Sequence, residues 1–305
     1  MNKTIYNIID KPKFSVIMAN YNKEEYIREA IESVLNQTFR DWELIIIDDK
    51  STDNSIKIIQ KYLIDERIRL IKNCRNIGYP KTLIRLVNNI KSDLFGVLDS
   101  DDTISTNALS IMYDAHNEHN NCGFIYSQFM YCNERLSPLR KGYCRKMPIG
   151  STNLRENYSS AFRTFKKEVY FKTEGFNDEL ILGEDRDIIY KMEEVTRLFF
   201  VDRILYKYRI VPLSNAIVPN KINIGRCSSS MMKYNAFLRR KNNNNDFPSL
   251  TNREMGVELF IGMIFSFKLK DINNAKLLLN EAVKLNKVIL LDMIVYTIAK
   301  FFNKL

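Results

Sequence analysis

Short apolar runs alternate with amphipathic stretches over the first hundred residues. Phe14-Ser-Val-Ile-Met-Ala19 is an apolar run that feeds Asn20-Tyr21-Asn22, which reads as a strand entering a turn. Over 24–37 the apolar positions Tyr26, Ile27, Ala30, Ile31, Val34 and Leu35 recur at helical spacing. Glu43-Leu-Ile-Ile-Ile-Asp48 is almost wholly apolar, as expected of a strand covered on both faces of a parallel sheet. It runs into Asp48-Asp49-Lys50-Ser51-Thr52-Asp53, where Ser51, Thr52 or Asp53 is expected to cap a helix reaching Tyr62. A strand over 68–71, a helix over 81–90 and a strand over 94–98 follow, the last ending in Asp99-Ser100-Asp101-Asp102. This alternation predicts an α/β fold with a parallel, helix-covered sheet.

Beyond Ser105 the rhythm changes. The pattern predicts a helix over 107–119, a strand over 123–127, an irregular basic stretch over 133–157, strands over 161–165 and 198–202, and a helix over 185–195. From Pro219 the periodicity is helical only. Lys241-Asn-Asn-Asn-Asn-Asp246 and Pro248 interrupt it, and Thr251 is placed to cap the next helix. Apolar-periodic segments at 254–268, 274–285 and 288–302 complete the chain. Two units are therefore expected: an α/β domain over 1–218 and a small all-helical appendage over 219–305.

Length and charge sharpen this picture. The chain has 305 residues, more than the ~150 of an average domain, which suits a main domain with an appendage. At 45% apolar and 27% charged residues it is an ordinary globular sequence. Lys and Arg exceed Asp and Glu by 46 − 36 = 10, which favours anionic partners. The first residues resemble no secretory signal, and no run reaches the ~20 apolar residues of a spanning helix. Five cysteines without a Cys-x-x-Cys argue against a disulfide framework or a zinc site, so a reduced, cytoplasmic protein is expected. His116 and His119, three apart on a predicted helix without an acidic partner, read as surface residues.

The chemistry lies in carboxylates just past strand ends, the edge at which open α/β sheets bind ligands. Asp48 and Asp49 end one strand; Asp99, Asp101 and Asp102 end another. Such a turn either caps a helix in water or holds a hard divalent cation, Mg²⁺ or Mn²⁺, which commonly arrives with substrate phosphates.

Five segments, in order, resemble the family 2 glycosyltransferases. Val16-Ile-Met-Ala-Asn-Tyr-Asn22 is similar to their nucleotide-binding strand end. Ala30-Ile-Glu-Ser-Val-Leu-Asn-Gln-Thr38 with Glu43-Leu-Ile-Ile-Ile-Asp-Asp-Lys-Ser-Thr-Asp53 resembles their most recognisable block. Leu98-Asp-Ser-Asp-Asp102 resembles their Asp-x-Asp metal motif. Glu174-Gly-Phe-Asn-Asp178 with Gly183-Glu-Asp-Arg-Asp187 is similar to the segment that carries the base, and Tyr206-Lys-Tyr-Arg209 to the strand closing that site. The matching stretches run from about Phe14 to Ser214.

The resemblance implies a GT-A fold and an inverting, nucleotide-sugar-dependent transferase. Ala19, Tyr21, Asp49, Lys81, Asp99 and Ser100 would bind the nucleotide sugar: Tyr21 by stacking on uracil or another base, Asp49 by accepting from its ring, Asp99 by holding the ribose. Asp101, with Asp102, would bind Mn²⁺ or Mg²⁺, and Asp185 would be the catalytic base, with Glu184 or Asp187 as rivals. Tyr21 and Asn22 could equally shape a turn, and Asp185 could only cap its helix. Two departures stand out. Ile210 and Val211 follow Arg209 where relatives often carry a His, and the segment after Asn76-Ile-Gly78 lacks their Arg-Asn pair, which leaves Lys81 or Arg85 as phosphate partner.

The expected partners are a nucleotide-sugar donor and a glycan or lipid-linked saccharide acceptor, in cell-surface polysaccharide or glycoconjugate synthesis. The helix over 288–302 could meet an acidic membrane at the inner face of the cell membrane, pack on its neighbours or join a second copy. The charge alone also fits a nucleic-acid-binding protein, but the positive residues are scattered and acidic turns occupy the ligand edge. A helical scaffold would need about three hairpin repeats, and 256–286 resembles one.

Overall fold

A computed structural model describes residues 11–180, 182–211, 219–242, 248–289 and 291. The apolar runs become β1 (Phe14–Asn20) and β2 (Trp42–Asp48), each buried along its whole length. With β3 (Ile68–Lys72) and β4 (Leu94–Val97) they form a parallel array in the order β3-β2-β1-β4. Helices α1 (Ile27–Leu35), α2 (Ser55–Gln60) and α3 (Tyr79–Val87) connect them. α1 buries Ile27, Ala30, Ile31 and Val34, the stripe its spacing predicts.

The cap expected at α2 is different. Its N-cap is Asn54, which makes no side-chain capping bond. Ser51 is committed to the strand-end turn, where its hydroxyl donates to Asp48 at 2.6 Å and accepts from the Asn22 N–H at 3.0 Å. Asp53 stands just outside the helix and accepts from the Ser55 and Glu24 N–H groups, both at 2.9 Å.

The second half contains β5 (Thr103–Ile104), α4 (Ala108–Glu118), β6 (Cys122–Cys132), β7 (Pro138–Lys141), β8 (Arg163–Lys166), α5 (Lys167–Tyr170), α6 (Glu184–Glu193) and β9 (Arg197–Arg209). The sheet continues β4-β8-β6-β9-β5, with β7 on β6. Here it is mixed. β8 runs antiparallel to β4 and β6, β9 parallel to β6, and β5 antiparallel to β9. Parallel strands need a crossover, usually a helix; β8 enters from the long connection after β7 and is free to run the other way. β7 lies inside the stretch read as irregular, and its four exposed residues carry no alternating signal. β9 joins in one strand the predicted segment 198–202 and the motif ending at Arg209.

The histidines are also placed differently from the expectation. His116 is 3% exposed and its Nε2 lies 2.9 Å from the Thr164 hydroxyl. Burial pushes its pKa down to about 3, so it is a neutral core group. His119 stacks on Phe199 at 3.6 Å.

Past residue 218 the described chain is helical: α7 (Pro219–Asn242), α8 (Asn252–Lys268) and α9 (Ile272–Leu285). Thr251 caps α8 as expected, in a reciprocal box with Glu254. These helices share a core with the α/β part, since Leu154 and Tyr190 pack with Met232, Phe237, Met255, Leu259 and Leu278. Arg240 of α7, 3% exposed, donates to Glu193 of α6 at 2.8 Å and to the Thr152 hydroxyl at 2.8 Å. The asparagine run at 243–245 and nearly all of the helix expected over 288–302 lie outside the described residues. Among the described residues all five cysteines are free, and no helix is long and apolar enough to cross a membrane.

Candidate active site

The chain steps outward from β1 through β2 to β3 and returns to β4 on the other side of β1. This reversal opens a crevice at the strand C-termini, and most of the motif carboxylates gather there. Ala19 and Asn20 end β1, and Tyr21, 46% exposed, stands at the lip. The Asn20 amide donates to Asp48 at 2.8 Å and ties the two strand ends together. Asp49 is nearly enclosed. One of its oxygens accepts from the Asn73 amide at 2.7 Å and the Ile77 N–H at 2.9 Å, the other from the Gly78 N–H at 2.8 Å. Gly78 precedes α3 at φ 89°, a conformation that favours glycine and turns its N–H towards Asp49. Lys81 is exposed on the first turn of α3; Arg85, one turn on, donates to Asn73.

The three aspartates after β4 have separate surroundings. Asp99 accepts from the Tyr79 hydroxyl at 2.5 Å. Burial raises its pKa, the Arg163 charge opposes that, and the Asp101 charge adds to it. Ser100 is buried beside it. Asp101 pairs with the Lys23 ammonium at 2.5 Å in a half-buried contact. Asp102 is 2% exposed and accepts from the Tyr206 hydroxyl and the Arg209 N–H, both at 2.7 Å. Burial, then the charges of Asp101 and Asp99, hold its pKa well above the ordinary carboxylate range. Arg209 fixes the turn from behind: its Nε donates to the Asp101 carbonyl at 2.6 Å, and its other nitrogens meet Glu29 and the Glu134 carbonyl.

On the opposite wall, Gly183 starts α6 at φ 95°, and Glu184, Asp185 and Asp187 fill the first turn, where the helix dipole favours negative charge. Asp185 meets the Arg163 guanidinium at 3.3 Å. Burial works against the Arg163 charge, and Asp185 and Asp99 outweigh it, which raises its pKa. Arg163 is thus the electrostatic link between the acidic turn and α6. Burial, then the neighbouring Asp185 charge, pushes Glu184 up to about 7. Asp187 is buried and paired with Lys191 at 2.8 Å.

Lys23, Tyr79 and Arg163 are the groups that sequence reasoning did not single out. Arg163 did carry a signal: a charged residue inside a predicted strand must find a partner. Tyr79 carried none beyond its type. Among the described residues, no three His, Cys, Asp or Glu are grouped so as to hold a metal unaided.

The family model described as "Glycosyl transferase family 2" matches residues 15–176, the span from β1 to the segment before α6. The chain belongs to this family. Chondroitin synthase of Escherichia coli is 30% identical over 201 residues, 64% of this chain and 28% of that protein. The chain thus spans little more than a quarter of the length of that relative. Among solved structures, S. aureus TarS 1–349 in complex with UDP-GlcNAc superposes with TM-score 0.65 at 21% identity, over 89% of this chain and 79% of that one. A mannosyltransferase from Pyrobaculum calidifontis, in complex with GDP-Man and Mn²⁺, superposes with TM-score 0.56 at 13% identity, over 95% and 80%. These likenesses show the expected GT-A fold, with its sheet mixed beyond β4. Residues 15–176 are thus the glycosyl transferase family 2 part of the chain.

Proposed function

We propose that this glycosyltransferase moves a sugar from a nucleoside diphosphate donor, UDP-linked by preference, to a hydroxyl of a glycan or lipid-linked acceptor, with inversion in a single displacement. The observation that carries this reading is the opposition of Asp185 to the acidic turn across Arg163. A carboxylate on one wall and, on the other, an acidic turn suited to a cation that would neutralise the leaving diphosphate are what an in-line attack on an anomeric carbon requires.

In this reading Tyr21 stacks on the base, and Asp49 accepts a ring N–H, which uracil and guanine both offer. Asp99 and Ser100 hold the ribose side, and Lys81 or Arg85 faces the phosphates. The oxygen donors suit a hard divalent cation such as Mn²⁺ or Mg²⁺. Asp101 is the ligand best placed to hold it, because Asp102 is 2% exposed and turned to Tyr206 and Arg209. Its shell would be completed by donor phosphates and water. The cation supplies neutralisation of the charge that develops on the leaving diphosphate. Asp185 takes the proton of the attacking hydroxyl, and the Arg163 guanidinium at 3.3 Å orients it for that task. Bound UDP-GlcNAc in TarS and the likeness to a chondroitin synthase support a UDP-sugar and a polysaccharide product.

A mass-spectrometric screen of UDP- and GDP-sugars for nucleotide release, with and without Mn²⁺, tests the reading. Release from a sugar nucleotide, stimulated by the metal, is expected. No release from any donor overturns it.

A further inference from the structure

Outside the carboxylates, one cluster of the second half is built from aromatic side chains and faces solvent. Tyr143 is 39% exposed and Tyr208 37% exposed. Both rest on Phe129, which is buried. Phe129 meets Tyr143 edge-on at 5.5 Å and lies 6.2 Å from Tyr208. Gly142 makes this approach feasible: a Cβ there would sit 2.4 Å from the Phe129 ring. Tyr131 packs against Tyr208 at 5.5 Å from the neighbouring strand.

The sheet register explains why these rings share one face. Arg140 of β7 pairs with Tyr131 of β6, and Tyr131 pairs with Tyr208 of β9, so the three form one cross-strand row. The Arg140 guanidinium lies 3.9 Å from the centre of the Tyr131 ring. It is exposed, and among the described residues no carboxylate pairs with it.

Two contacts place the cluster beside the candidate site: Tyr208 directly precedes Arg209, whose N–H holds Asp102 at 2.7 Å, and Tyr126, which pairs with Arg163 across β6 and β8, donates at 2.7 Å to the Arg145 carbonyl two residues from Tyr143. Burial first, then the Asp102, Asp99 and Asp101 charges, raise the pKa of Tyr208. Burial, with Asp185 adding, raises that of Tyr143. The two rings therefore lie between the acidic turn and the Arg163–Asp185 pair, with hydroxyls able to donate and accept.

We propose that Tyr143 and Tyr208 form a stacking platform for the acceptor sugar, and that Arg140 beyond them selects an acceptor carrying a carboxylate or phosphate along its chain. This inference rests on the transferase reading and names its acceptor class. Flat, amphipathic rings suit the apolar face of a pyranose while their hydroxyls meet its polar rim. A cation at the far end of the row adds charge complementarity without touching the reacting atoms.

Equilibrium binding of three probes, without donor, decides it: tetragalacturonate, its carboxyl-reduced neutral counterpart and a glycerol phosphate oligomer. The wild-type chain should bind at least one charged probe about tenfold more tightly than the neutral one at low salt. Which one it binds tells carboxylate from phosphate. Arg140→Gln should abolish that preference. Tyr143→Ala and Tyr208→Ala should each weaken binding of the charged and neutral saccharides about tenfold. Tyr143→Phe and Tyr208→Phe, which keep the rings, should stay within about threefold. Unchanged binding in both alanine variants overturns the platform. Equal affinity for charged and neutral probes, or no binding of any probe, overturns the acceptor class. A parallel UDP titration reads the donor side: failure there with intact saccharide binding would sink the donor reading and leave the platform standing.

Discussion

Arg163 and Asp185 meet at 3.3 Å although one begins β8 and the other sits in the first turn of α6. The arginine is buried and the aspartate half-buried, so the pair orients the carboxylate more firmly than a surface ion pair would. Since the charge of Asp99 also acts on Arg163, anything that neutralises the acidic turn is felt by α6.

Asp185→Asn keeps the shape of the side chain and removes its basicity. Sugar transfer should fall by ~10²–10⁴, the usual scale for loss of a general base. UDP affinity should persist within a few-fold, measured by calorimetry. If Glu184→Gln abolishes transfer while Asp185→Asn leaves it near native, the base is one residue earlier.

Neighbouring aspartates should separate cleanly. Asp101→Asn should abolish metal-stimulated turnover, and EDTA should silence the native enzyme, while the melting temperature of the variant stays nearly unchanged. Asp102→Asn should behave in the opposite way. An amide offers one acceptor oxygen where Tyr206 and the Arg209 N–H now use two, so one buried donor is stranded at a cost of about 1–3 kcal/mol. Its melting temperature should drop by several degrees. Full activity in EDTA would remove the metal from the reading.

Stability should depend on Glu184 at neutral pH. Its folded pKa of about 7 lies above the ordinary 4.5, so the folded state holds a proton that the unfolded chain has released. Between these values the native state binds more protons, and stability falls as pH rises. Thermal melts from pH 5 to 8 should show this decline, and Glu184→Gln should flatten it. An identical slope in the variant would show that the carboxyl is ionised throughout.

Arg240 should report on the helical region. It joins α7 to Glu193, the last residue of α6, and to Glu194 just past it, and loss of one partner from a buried pair typically costs about 3–5 kcal/mol. Arg240→Met should lower the melting temperature markedly. Removal of residues 242–305 should destabilise the remainder further, because Leu154 and Tyr190 lose the apolar partners that cover them. A truncated chain that melts like the full one would make the helical region an independent appendage.

The first four strands and their helices were legible because each is a local pattern, an apolar run or a 3.6-residue stripe. The mixed half was not. β7 is exposed at every position, and β9 takes its length from its partners. Carboxylates could be read at strand ends because charge after an apolar run is unusual. Which cations answer them could not be read: Lys23 lies 78 residues from Asp101, and Arg163, though conspicuous inside a strand, lies 22 residues from Asp185. His116 was misread because its partner, Thr164, is 48 residues away on another strand.

Arg209 closes contacts over sequence separations of 75, 107, 108 and 180 residues, to Glu134, Asp102, Asp101 and Glu29. Contacts of such span form late, because the chain must close long loops before they yield any free energy. During synthesis the β1–β4 array and the lip that carries Tyr21 can assemble first, while the acidic turn stays unbraced until β9 emerges and docks on β6. An incomplete chain would then meet nucleotides with half a site, and competence for transfer would arrive together with the last strand of the sheet.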